Sequence, residues 1–193
     1  MRKSTQKKMR EGREAYFVQQ QREALETDIL LAAVHEAGHA LAYTLLGVGV
    51  EYVTVERKTV EHNGLQMISS GFTQPLPRAL SKETIEQEAV CVLAGPAAED
   101  ALNKGEPSGS QGDVDNLRDY AIAVGLSKDE AVDLVSRAYR SACALVDKHL
   151  DAVKRIAFEL MTKGRIEGDR VKAIADNGSK LESAEFDTTE EVV

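Results

Sequence analysis

A mainly α fold with a small β-sheet (α+β) is the class this chain predicts, and three observations carry it. Long stretches at 28–46, 82–102 and 127–163 repeat apolar residues at helical spacing. Two shorter segments, at 50–55 and 64–69, read as strands and flank a turn signal. At 193 residues and 42% hydrophobic, the chain suits one globular domain.

In chain order, residues 1–26 form a polar arm crowded with Arg2, Lys3, Lys7, Lys8, Arg10 and Arg13. A helix follows from Asp28 to Leu46, with Thr27 or Asp28 as N-cap and Gly47 as its stop. It is apolar almost all round, as a central buried helix should be. Val50 to Val55 is a β-branched strand, and 58–63 reads as turn, with His62-Asn63-Gly64 a hairpin signal. Gly64 to Ser69 is the second strand.

Past the Pro75/Pro77 breaker, Ser81 caps a helix over 82–102, which Gly95-Pro96 should kink or divide. Residues 103–112 have loop composition, and a short helix starts near Asp113. Ser127-Lys128-Asp129-Glu130 is a capping box, opening an amphipathic stretch to Lys163 that should bend near His149. Its stripe, from Val132 to Leu160, reads as core or subunit packing. Gly164 to Gly168 turns the chain into a last short helix, and 178–193 is an acidic tail. The domain is therefore expected over 27–177.

Composition excludes several classes. A formal charge of −8 argues against a general nucleic-acid surface, and 5% aromatic residues with no Trp argue against single-strand stacking platforms. Cys91 and Cys143 sit among Ala, Val and Leu and read as small buried apolar residues, which fits a reducing compartment. No run of about 20 apolar residues spans a bilayer. The N-terminus lacks the apolar core of a secretory signal, so the expected location is cytoplasmic. No Gly-x-x-x-x-Gly-Lys-Ser/Thr loop offers an ATP site.

The chemistry lies in Val34-His35-Glu36-Ala37-Gly38-His39-Ala40. On a helix, residues four apart stand one above the other, so His35 and His39 can aim ring nitrogens at a single Zn²⁺. Glu36, about a quarter turn around, reaches a water on that ion as general base without ligating it. Two inert core histidines would be the bland account. However, buried imidazoles beside a buried carboxylate are costly without partners, and one ion partners all three.

A catalytic zinc takes three protein ligands, so a third is needed. Asp113, Asp115 and Glu99 are the candidates. Asp113 shares the inward face of Leu117, Tyr120 and Val124, and its place at a helix start suits its charge. Asp115 is the fallback ligand, and Glu99 then orients a histidine by hydrogen bond. His62 is weighed as a ligand, a surface-turn histidine being the commoner case.

The segment from Leu31 to about Ile174 resembles the protease domain of FtsH-type, ATP-dependent zinc metalloproteases. Several stretches carry the likeness, in the family's order: His35 to Leu41, Leu93 to Asp100, Ser108 to Asp113, Ala138 to Leu150, and Arg165 to Gly168. The second resembles the family's Leu-Gly-Gly-Arg-x-Ala-Glu-Glu, with Pro96 in place of Arg. The third resembles Thr-Gly-Ala-x-Asn-Asp, whose last Asp ligates zinc, with Gly112 in place of Asn.

The resemblance implies a helical zinc-peptidase domain, with one Zn²⁺ per chain and a strand that holds substrate extended. That strand is expected at Gly64, Leu65, Gln66, Met67, Ile68 and Ser69. The segment carries neither the family's transmembrane helices nor its AAA ATPase module. The expected activity is therefore endopeptidase cleavage of peptides or unfolded proteins, with self-assembly or an AAA ATPase acting in trans as expected partnerships. The alternative is a catalytically silent, peptidase-like module that assembles with a full-length AAA protease. Retention of Glu36 counts against it, since a structural metal needs no base.

Overall fold

The computed structural model describes residues 19, 26–62, 65–103 and 110–185. Its order is α1 (26–45), β1 (Val50–Thr54), β2 (Lys58–His62), β3 (Leu65–Ser69), β4 (Phe72–Pro75), α2 (Ile85–Asn103), α3 (Ser110–Ala123), α4 (Lys128–Lys148), α5 (Leu150–Lys163), β5 (Arg165–Glu167) and α6 (Gly168–Glu185). The fold is mainly helical with a small antiparallel sheet ordered β4-β1-β5, and β2-β3 forms a separate two-stranded sheet.

Helix α1 ends where expected. Gly47 has φ 78° and its N–H donates to the Thr44 carbonyl, a left-handed stop that glycine takes without strain. The inward face of α1 is fully buried at Ala33, Ala37, Ala40 and Leu41. Small residues let α2 approach closely: a Cβ on Gly38 would fall 2.2 Å from the Ala94 carbonyl oxygen. Helix α2 also packs on α4, and Ala89, Leu93 and Ala97 of α2 share one buried core with Leu134, Ala138 and Ala142 of α4. Small and branched apolar residues thus join α1, α2 and α4 in one core.

The sheet departs from the sequence reading in three places. Residues 58–62, read as turn, form a strand paired with β3, and His62 lies opposite Leu65 across the turn. Pro75, read with Pro77 as a breaker, ends the strand Phe72–Pro75 on β1, because as the sheet's outermost strand it tolerates a terminal proline. Arg165–Glu167, read as turn, covers the other edge of β1. Gly164, with φ 73°, starts that strand, and its carbonyl accepts from Val55 N–H and Thr54 Oγ1.

Among the helices, α2 runs through Pro96 as one element, although proline removes the helical donor to the Val92 carbonyl. The expected bend falls at His149, which separates α4 from α5 and donates its N–H to both Leu145 and Val146 carbonyls. Ser127 and Glu130 form the expected capping box. Helix α3 starts at Ser110, three residues before Asp113, and α6 continues to Glu185, past the expected end of the domain. The basic arm, apart from residues 19 and 26, lies outside the described residues, as do 104–109 and the tail from 186 on. Among the described residues, no helix is long and apolar enough to cross a membrane.

Candidate metal centre

His35 and His39 project from one face of α1, and Asp113 reaches them from the first turn of α3. The two imidazole Nε2 atoms are 2.9 Å apart, and Asp113 Oδ2 is 3.1 Å from the first and 3.6 Å from the second. Among the described residues this is the one group of three His, Cys, Asp or Glu side chains whose ligand atoms converge, all within 4.8 Å of one another.

The other ring nitrogens fix which atoms face inward. His39 Nδ1 lies 2.9 Å from the Cys91 carbonyl oxygen, which can only accept, so Nδ1 carries the proton and Nε2 keeps its lone pair. His35 Nδ1 lies 2.8 Å from Glu99 Oε1, a carboxylate 3% exposed, with the same consequence. Gly95 makes room for the pair, since a Cβ there would sit 2.5 Å from His39 Nε2 and 2.9 Å from His35 Nε2.

Three electron-rich atoms therefore meet with nothing of their own to hold them together. Asp113 Oδ2 is buried and has no aligned hydrogen bond in the protein. Such an arrangement repels unless a cation or a proton sits between the atoms. In the metal-free chain the charges adjust accordingly. Burial alone would lower the His35 imidazolium, but the neighbouring Asp113 and Glu99 outweigh it and lift its pKa to about 10. Burial likewise pushes Asp113 up, and the two histidines outweigh it, holding its carboxyl far below the usual range. Two imidazoles and one carboxylate at this spacing are a donor set that suits Zn²⁺.

Glu36 is 8% exposed and stands beside this group. Thr73 Oγ1 donates to Glu36 Oε2 at 2.7 Å, and its oxygen also lies 3.2 Å from the Glu36 main-chain carbonyl. A cleft of about 470 Å³ opens over these residues, lined also by Tyr43, Gly71, Phe72, Pro75, Glu88 and Val92.

Asp115, the alternative third ligand, points away; it is exposed and lies 3.4 Å from Arg118 Nη1. The side chain of His62 lies outside the described residues. The strand that borders the histidines is β4, whereas β3 within Gly64–Ser69 ladders with β2. Cys91, Gly95, Gly71 and Thr73 were missed because each acts through its backbone, its missing side chain or one hydroxyl, none of which carries a spacing signature.

No family model matches the chain. It is 24% identical over 204 residues to the ATP-dependent zinc metalloprotease FtsH 1 of Thermoanaerobacter sp. (strain X514), covering 83% of this chain and 32% of that protein. It is 22% identical over 194 residues to the protein of the same name from Thermomicrobium roseum, covering 78% and 29% respectively. The chain spans about a third of the length of the curated relatives it matches. Together these matches support a distant relationship to FtsH-type zinc metalloproteases.

Proposed function

We propose that the chain is a zinc metalloendopeptidase acting on peptides and unfolded segments. The observation that carries this reading is the meeting of His35 Nε2, His39 Nε2 and the orphaned Asp113 Oδ2 beside a buried glutamate. His35, His39 and Asp113 would hold the ion, with Glu99 and the Cys91 carbonyl fixing the two rings. A zinc bound there supplies Lewis acidity, lowering the pKa of a water toward 7 and polarising the scissile carbonyl.

The remaining steps belong to the protein. A Glu36 carboxylate oxygen takes the proton of the attacking water and passes it to the leaving amine nitrogen. The substrate lies extended in the cleft, added as a strand beside β4, an outer strand of its sheet that lines the cleft. Pro75 ends that strand without an N–H, so pairing is confined to the residues before it. Backbone pairing gives loose sequence selectivity and requires an unfolded substrate.

ATP-dependence is a property in the relatives' names. The 193 residues here contain no phosphate-binding Gly-x-x-x-x-Gly-Lys-Ser/Thr loop, so in this reading any coupling to ATP comes from outside these residues. The test is cleavage of casein and fluorogenic peptides by the zinc-loaded chain against Glu36→Gln. Loss of the base should lower kcat by about 10²- to 10⁴-fold with zinc retained. Equal cleavage by the two proteins would end this reading.

A further inference from the structure

We infer that Thr73 is the positioning residue for the general base: its hydroxyl ties the strand that lines the cleft to the Glu36 carboxylate and fixes its orientation. The inference rests on the proposed peptidase reading and adds to it a residue that neither the sequence motif nor the matches assign.

Thr73 sits on β4 opposite Val53 of β1, 9% exposed. A buried strand position of this kind is ordinarily best filled by valine, which has the same shape and no hydroxyl to desolvate. A buried hydroxyl needs a partner, and here both acceptors within reach belong to Glu36: Oε2 at 2.7 Å and the main-chain oxygen at 3.2 Å. The hydroxyl has one proton, so whichever oxygen receives it, β4 is joined to the base.

On the other side of the carboxylate, a Cβ on Gly71 would fall 2.6 Å from Glu36 Cγ and 2.9 Å from Oε1. Residue 71 therefore has to be glycine for the glutamate to keep this rotamer. Oε2 is held by Thr73 while Oε1 lies against Gly71 at the cleft wall, so the carboxylate is gripped between two residues of the same strand region.

The same sheet provides a control. Thr54 on β1 is fully buried, but its hydroxyl donates to the Gly164 carbonyl and accepts from the Glu56 N–H, away from the carboxylate of Glu36. Two buried threonines thus have the same shape and different acceptors, one structural and one chemical.

The experiment compares Thr73→Val, Thr73→Ser and Thr54→Val in the zinc-loaded full chain, with zinc content, Tm, kcat and KM measured for each. A misdirected base costs turnover and leaves ground-state binding alone, so Thr73→Val should lower kcat by about 10- to 100-fold with KM nearly unchanged. Thr73→Ser should restore kcat to within a few fold. Thr54→Val should lower Tm and leave kcat within about twofold. Wild-type kcat in Thr73→Val, or an equal loss in Thr54→Val, would overturn the assignment.

A metal-free readout keeps the inference separate from the function it rests on. In a double-mutant cycle of Thr73→Val and Glu36→Ala, the Tm changes should fail to add by about 3 °C or more. Should the wild type cleave no peptide, a non-additive cycle would still sustain the Thr73–Glu36 tie while the peptidase reading fell; additive changes would remove the tie.

Discussion

Two buried polar clusters line the same cleft, one helical turn apart on α1, and they differ in whether their hydrogen bonding is complete. At the far end, Glu88 accepts from the Tyr43 hydroxyl at 2.7 Å and from two nitrogens of Arg78, while Arg78 Nη1 also reaches Gln87 Oε1 at 2.6 Å. Donors and acceptors match there, and a guanidinium answers the carboxylate. At the near end, His35, His39 and Asp113 bring three acceptor atoms to one point, with all matching donors used on the outer side of the rings. The contrast separates a polar cluster that braces the fold from one that, in the proposed reading, holds a metal ion. Both are buried and rich in charge; only the second is short of a positive centre.

The largest expected effects come from treating the two ends as opposites. His39→Ala should abolish stoichiometric zinc binding, measured by elemental analysis and chelator competition. Glu99→Gln removes only the acceptor behind His35 and should weaken zinc by about 10- to 100-fold. Tyr43→Phe, at the braced end, should leave zinc affinity within about twofold. A Tyr43→Phe protein that loses zinc would erase the distinction.

Stability should respond the other way round. Glu88→Ala leaves the Tyr43 hydroxyl without its acceptor and Arg78 without its carboxylate, and should destabilise the metal-free chain by about 2–4 kcal/mol in urea unfolding. The low end of that range is expected, because the Arg78 side chain is 19% exposed and water can take over part of its hydration. Replacing both Arg78 and Glu88 with methionine should cost less than Glu88→Ala alone, since no charge is then stranded. A double variant less stable than the single one would mean that the pair contributes more than its own compensation.

A pH series sharpens the comparison further. His35 has a folded pKa of about 10 against an ordinary 6.5. Its contribution to the metal-free chain is therefore fully present below pH 6.5 and is lost as pH rises through about 10. A proton on His35 stands in for the ion, so zinc must displace it, and that displacement becomes easier over the same window. The Tm gap between zinc-loaded and metal-free protein should widen from pH 6.5 to 10. A flat gap would mean that His35 binds no extra proton in the metal-free fold.

How much of this was readable beforehand follows from what fixes each residue. His35, Glu36 and His39 share one helix, so their geometry is set by a spacing of 3.6 residues per turn and is visible in the sequence. Asp113 lies 74 positions beyond His39, yet its apolar ladder with Leu117 and Val124 disclosed which way it faces. Glu99 is expected from the sequence to orient a histidine, and its Oε1 lies 2.8 Å from His35 Nδ1. The sheet was read less well, because β4 and β5 are four and three residues long, too short to show a period against their Gly and Pro neighbours. The Cys91 carbonyl could not be read at all: every residue has one, and only the packing of α2 on α1 selects it.

Cys91 is also where the two clusters meet, which makes it the last place to probe the comparison. Its carbonyl holds His39, and its thiol is pushed up to about 12, by burial and then by the Glu88 carboxylate of the braced cluster. The thiol is therefore uncharged at neutral pH and offers no thiolate to compete for the ion. In native protein at pH 8, a thiol reagent should label Cys143, which is partly exposed, and reach Cys91 only on unfolding. Because the backbone oxygen survives any side-chain change, Cys91→Ala should keep zinc affinity within about twofold. A Cys91→Ala protein that releases zinc would transfer the supporting role from carbonyl to sulfur, and with it the boundary between the cluster that braces and the cluster that binds.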